Sequence, residues 1–140
     1  MLLLDKLIVE ALISDMFRRC MEPFGIEAAR NTGELFVLLE KDQGKLINFL
    51  KAFCQELKDA GLVFSAGIAK SIVLVEKYGT KSNMIAGMGI NIASKLAEDV
   101  WEAHTILVHD SAEMPGAELS PFTFTKPVSH ITLTGWGVRL

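Results

Sequence analysis

An α+β fold around one core is what the sequence predicts, on three observations. Leu3 to Met21 and Gln43 to Ala60 each repeat apolar residues at the three-and-four spacing of an amphipathic helix. Short apolar runs bounded by turn residues alternate with these helices, as strands do. No repeat, linker or low-complexity tract interrupts the 140 residues, so a single domain over 1–140 is expected.

The apolar positions of the first helix are Leu3, Leu4, Leu7, Ile8, Ala11, Leu12, Met16, Phe17, Cys20 and Met21, and Pro23 with Gly25 ends it. Ile26 to Ala29 and Leu35 to Glu40 follow as two strands around Asn31-Thr32-Gly33-Glu34, a composition that suits a hairpin turn. In the second helix Leu46, Ile47, Phe49, Leu50, Phe53, Cys54 and Leu57 share one face, and Gly61 supplies the stop. Leu62 to Ala69 reads as a compact central strand. Ile72 to Val75 continues beside it before a loop centred on Tyr78 to Asn83. A third helix runs from about Ile90 to Trp101, and Thr105 to Val108 is a further buried strand. Pro115, Gly116, Pro121 and Pro127 place the next segment in loops and edge structure, and Ile131 to Leu133 and Val138 close the sheet. This order, αββαβ(β)αβ, predicts a ferredoxin-like, palm-like mixed sheet with helices on one face.

Composition narrows the function. Half the residues are apolar, 22% are charged and the net charge is −3. No basic cluster or interleaved aromatic stripe is present, so nucleic acid is not an expected partner. The opening Leu2-Leu3-Leu4 is interrupted by Asp5, Lys6 and Glu10 long before a bilayer is spanned, and a cytoplasmic protein with no membrane partner is expected. Cys20 and Cys54 fall on apolar helix sides, which predicts buried free thiols in a reducing compartment.

The most informative stretch is Gly87 to Leu96, GMGINIASKL. After a glycine-rich turn it places Asn91 and Lys95 one helical turn apart, on one face. An amide and a cation near a helix N-terminus, where free N–H groups and the dipole already favour negative charge, suit a polyanionic ligand. The local alternative is that Asn91 caps the helix and Lys95 is solvated. Gly87, Ile90, Asn91, Ala93, Ser94, Lys95 and Leu96 resemble the signature of the class III nucleotidyl cyclases. The order of parts around them is also similar, with the turn Thr32-Gly33-Glu34, the strand ending Ala66-Gly67-Ile68, and Thr105 to Val108 downstream. The likeness covers most of the chain but not the start of that family's domain.

The resemblance implies a purine nucleoside triphosphate as ligand, a dimer (a homodimer or a heterodimer with a cyclase-like partner), and Mg²⁺ or Mn²⁺ as cofactor. It makes Asn91 the ribose-orienting amide and Lys95 the counterpart of a phosphate-stabilising arginine, with the charge kept and the bidentate fork lost. Glu34 stands where the second metal-binding aspartate would be, one methylene longer. Arg30 stands where a base-reading lysine is common, and Met84 where the second base-reading residue would lie, without a strong hydrogen-bonding group. The first metal-binding aspartate has no counterpart, since a helix precedes the hairpin where the family has a strand. Asp5 is too near Glu34 to replace it. Cyclisation that is impaired, or dependent on a metal-bearing partner, follows from the resemblance.

Two alternatives stand beside it. Arg30, Gly33, Glu34 and Phe36 with Ser65, Gly67, Ile68 and Ala69 faintly echo the diguanylate cyclases, whose signature turn is not reproduced. A regulatory or dimerisation module without turnover, packing its first helix on a second copy, would need no chemistry at all. Gly87-Met88-Gly89 lacks the third glycine of a dinucleotide fingerprint, Gly79 to Ser82 lacks the Walker spacing, and Cys20, Cys54, His104 and His109 make no recognised zinc pattern.

Overall fold

The computed structural model describes residues 13, 15–31, 36–72, 74–78 and 81–140. Helical residues at 13 and 15–21 form α1, which tightens into a 3₁₀ turn, Glu22–Phe24, and stops at Gly25 in the left-handed conformation. Strands β1 (Glu27–Asn31) and β2 (Phe36–Leu39) pair antiparallel, with a bulge between Ala28 and Arg30. Helix α2 (Gln43–Asp59) begins at Asp42, whose side chain accepts the Lys45 N–H at 3.1 Å.

Strand β3 is Ser65–Ile68, and β4 (Leu74–Tyr78) and β5 (Lys81–Ala86) form a second antiparallel hairpin. Helix α3 (Met88–Lys95) runs into a π turn, Leu96–Val100. Strand β6 (Thr105–His109), a 3₁₀ turn (Ala117–Leu119), β7 (Phe122–Val128) and β8 (Ile131–Arg139) complete the chain.

The main sheet is mixed, with order β3-β6-β8-β7; β3 runs parallel to β6 and the other pairs are antiparallel. The α+β class with a mixed sheet is therefore what the chain adopts. Strand β6 is buried on both faces, because its side chains alternate between two cores. Ile106 and Val108 join Ile68, Val138 and Ile47 of α2, whereas Leu107 joins Phe124, Val128, Leu133 and Leu96 of the π turn. Helix α2 thus covers one face and α3 with its π turn the other, a distribution that differs from helices gathered on a single face.

A third core lies beside α2, where Met16 and Phe17 of α1, Ile26, and Phe49, Phe53 and Leu57 are buried and half-buried Phe36 and Leu38 of the first hairpin pack against them. Phe17 meets Phe36 at 4.1 Å and Phe53 edge-on at 5.3 Å between ring centroids. Such aromatic pairs add about 0.5–1.5 kcal/mol each beyond their buried area. The alternation of Phe49, Phe53 and Leu57 toward this core, and Ile47 toward the main sheet, makes α2 the helix that joins them.

Three expectations are corrected. Lys81 to Asn83, expected in a loop, belong to β5, because Tyr78 and Lys81 pair across the hairpin; β4 and β5 form their own sheet and not a continuation of β3. Ile131 to Val138 is one strand and not two, since Gly135 and Gly137 stay in register with β6 and β7. The third helix is α-helical only to Lys95 and then widens into the π turn, closed by the Trp101 N–H on the Leu96 carbonyl at 3.2 Å. Strand β7, with Pro127, is the outer strand of the sheet, in keeping with the edge position that its proline implied. No helix among the described residues is long and apolar enough to cross a membrane.

Candidate functional site

The GMGINIASKL segment forms α3, and two glycines fix where the helix sits. A Cβ on Gly89 would strike the Ser71 hydroxyl, which accepts the Gly89 N–H at 2.9 Å and so satisfies one of the free donors of the helix start. A Cβ on Gly67 of β3 would strike the Ala93 carbonyl and the Leu96 Cβ, so only glycine lets α3 lie this close to the sheet. Gly87 occupies the N-cap without a side-chain bond, and the Asn91 N–H donates to its carbonyl at 3.4 Å.

Asn91 is therefore inside the first turn and does not cap the helix. Its side chain is exposed, and Lys95, one turn further on, is half-buried at the last α-helical position. A cation there also complements the helix dipole, a structural role that a ligand role does not exclude. Immediately beyond, the chain is strained: Trp101 has φ 35° and His104 φ 55°, both non-glycine residues in the left-handed region. Each costs of order 1–3 kcal/mol.

Arg30 lies on β1 opposite Val37, next to the bulge, and Met84 lies on β5 opposite Glu76. Strands β1 and β5 touch, and β5 leads through Gly87 directly into α3, so the elements carrying Arg30, Met84, Asn91 and Lys95 adjoin. Glu34 lies outside the described residues, as does Asp5. Among the described residues no three His, Cys, Asp or Glu side chains gather as a metal-holding group.

A polar network with no local signal in the sequence closes the carboxyl ends of β3 and β6. The Ser111 N–H donates to His109 Nδ1 at 3.1 Å and the Lys70 N–H to Ser111 Oγ at 3.0 Å. His109 Nδ1 is thus an acceptor, which puts the ring proton on Nε2, facing Asp110 Oδ1 at 3.3 Å. The Thr134 hydroxyl donates to Asp110, and Gln43 holds the Glu113 backbone through both its amide atoms, at 2.6 and 2.9 Å. These bonds pin the long 110–121 connection against the sheet and α2.

No protein-family model and no curated protein matches the sequence. A solved structure does match: the guanylyl cyclase Cya2 superposes with a TM-score of 0.59 over 99% of this chain and 82% of its own. The fold is cyclase-like. Sequence identity over that superposition is 11%, so the likeness is one of backbone architecture. Within the cyclase-like fold, the residues that resemble a cyclase signature form one helix, packed on β3 through a glycine and joined to the strands that carry Arg30 and Met84.

Proposed function

We propose that this chain is a nucleotidyl cyclase-like domain that binds a purine nucleoside triphosphate, and that its cyclisation to a 3′,5′-cyclic nucleotide is impaired alone and dependent on a metal-bearing partner. One observation carries the proposal: on a cyclase-like fold, the segment that resembles the cyclase signature is the helix α3 itself, with Asn91 in its first turn and Lys95 one turn further, at its last α-helical position.

The chemistry needs an oxygen of the ribose to attack the α-phosphorus while pyrophosphate leaves, so the site must orient the sugar and offset negative charge. The Asn91 amide supplies a donor and an acceptor for the ribose. Lys95 supplies a point charge for the phosphates, without the planar fork of an arginine. Arg30 is assigned to the base, and Met84 has no strong hydrogen-bonding group to offer, which leaves base selection weak.

Mg²⁺ or Mn²⁺ stabilises the phosphates when bound, but the described residues offer no ligand set for it. The donors are assigned to a metal-bearing, cyclase-like partner subunit, in a heterodimer whose site lies between the chains. The partner's carboxylates then hold the ion while this chain lends Asn91 and Lys95.

A product assay with GTP or ATP and Mn²⁺ tests the assignment. The chain alone gives little cyclic nucleotide, and any product formed in a complemented dimer falls by about 10–100-fold in Asn91→Ala, as loss of a substrate hydrogen bond predicts. Robust product from the isolated chain that survives Asn91→Ala contradicts it.

A further inference from the structure

The chain leaving β3 meets the start of α3 through one serine and is tied to the end of β6 through another. Ser71 Oγ accepts the Gly89 N–H at 2.9 Å, and a Cβ on Gly89 would strike it, so the two segments sit in direct contact. One residue earlier, the Lys70 N–H donates to Ser111 Oγ at 3.0 Å. Ser111 is in turn held to the ring of His109: its N–H donates to Nδ1 at 3.1 Å, and its hydroxyl lies 2.8 Å from the same nitrogen. A continuous series of contacts therefore runs from one imidazole to the seat of α3. Its first member exists only while Nδ1 has a free lone pair.

His109 ends β6 and follows Leu107 at the period-two spacing of a strand, which places it toward the sheet face that α3 covers. Its neighbours across the sheet add no charge: Gly135 is its partner on β8, and β3 ends at Ile68 beside Val108. The charged group that faces the ring is Asp110, with Oδ1 3.3 Å from Nε2, and the uncharged Thr134 hydroxyl of β8 holds Asp110. Lys70 and Glu113 in the flanking loops are exposed, as are Glu98 and Asp99 of the π turn, and Gln43 of α2 is uncharged. Helix α3 starts at this end of the sheet, with the positive end of its dipole, and carries its one charged side chain, Lys95, at its far end.

We propose that His109 is a proton-operated latch on the junction between β3 and α3: the neutral ring holds the junction closed, and the imidazolium loosens it. A proton on Nδ1 removes the acceptor of the Ser111 N–H and leaves two donors facing each other at 3.1 Å. The Ser111 hydroxyl can no longer donate to the ring either. On the other side of the ring the Asp110 carboxylate gains, because it then faces a full positive charge. Charge draws the ring toward Asp110, the turn carrying Ser111 shifts, and the Lys70 N–H and the Ser71 hydroxyl that seat α3 shift with it. Acid thus loosens the helix that carries Asn91 and Lys95. The inference stands on the fold alone, and its failure leaves the nucleotide assignment as it was.

The experiment follows the full chain by NMR between about pH 8 and pH 5, the range in which histidine changes charge. Ring signals of His109, His104 and His130 are assigned separately, and the amide shifts of Lys70, Gly89 and Ser111 are read beside them. Hydrogen-exchange protection of 91–96 is corrected for the intrinsic rate at each pH. The expected result is one midpoint shared by the His109 ring and the three amides, with protection in α3 falling roughly 2- to 10-fold on the acid side, the loss of one hydrogen bond. His109→Asn keeps an acceptor for the N–H two residues on and carries no titrating group, so the three amides stop titrating. Ser111→Ala keeps the N–H and removes the hydroxyl, so the amide at 111 still titrates while those of Lys70 and Gly89 do not. The shared midpoint in the unsubstituted protein decides the matter if either variant fails to fold. Amides of Lys70 and Gly89 that stay flat, that follow His104 or His130, or that titrate unchanged in His109→Asn overturn the proposal, as does unaltered protection in α3.

Discussion

Gly67 and Gly89 act through what they lack, since a methyl group at either would enter space held by Ala93 and Leu96, or by Ser71. Gly67→Ala is expected to lower stability by about 1–3 kcal/mol, the usual range for overpacking, because the obstructing Ala93 atom is backbone and has little room to yield. Thermal unfolding measures this, and an unchanged melting temperature would show that α3 is not held by this contact. The two thiols give a pH prediction. Burial raises the Cys54 thiol above its ordinary range and likewise the Cys20 thiol, which also feels Glu56. A raised folded-state value means the fold retains the proton, so this contribution is full below the ordinary thiol range and is lost as pH climbs through the raised values. Denaturation midpoints should therefore fall above about pH 8.5, and iodoacetamide should modify the folded protein more slowly than the unfolded chain. Equal alkylation rates in both states would refute the burial account. Of the residue-level features, the pairing of Asn91 with Lys95 was legible because helical spacing alone sets it. The His109–Ser111–Lys70 network was not, because it joins two strand ends that only the tertiary fold brings together.

Elements with a regular period were read from the chain; elements fixed by distant contacts were not. Helix α2 spans Gln43–Asp59 almost as its apolar spacing and Gly61 require, and its start is set by Asp42. Asp42→Ala should cost about 1 kcal/mol, seen as a lower urea midpoint with unchanged slope, because one N-terminal donor loses its partner. A midpoint shift near zero would mean that water replaces the carboxylate. The hairpin β4–β5 was obscured by the polar run Lys77 to Asn83, which by composition reads as loop but pairs from Tyr78 and Lys81 outward, with a register shift between Lys77 and Glu76. Strand β8 was split by its glycines. There the structure explains them: Gly135 admits the Val108 carbonyl and Gly137 the Phe122 ring, over which Arg139 stacks at 4.4 Å. The π turn has no local signal; its first residue, Leu96, lies close against Gly67 of β3.

At the scale of the molecule, α2 joins an aromatic core to a mixed sheet, and α3 brings the candidate residues to the opposite face. The architecture resembles a guanylyl cyclase across nearly the whole chain, while the carboxylates that would hold metal are not gathered among its described residues. Length, composition and element order made the α+β class legible. The division into one mixed sheet and two separate hairpins was not, because sheet partners are chosen by contacts between distant segments. Asn91 and Lys95 are proposed to face a triphosphate together, and isothermal titration calorimetry with GTP and ATP in the presence of Mn²⁺ reads that binding. Saturable heat is predicted for the unaltered chain, weakened by about 10–100-fold in both Asn91→Ala and Lys95→Ala, in line with the loss of a charge-assisted or ligand hydrogen bond. No heat beyond dilution at millimolar nucleotide, or binding that neither substitution alters, would contradict it.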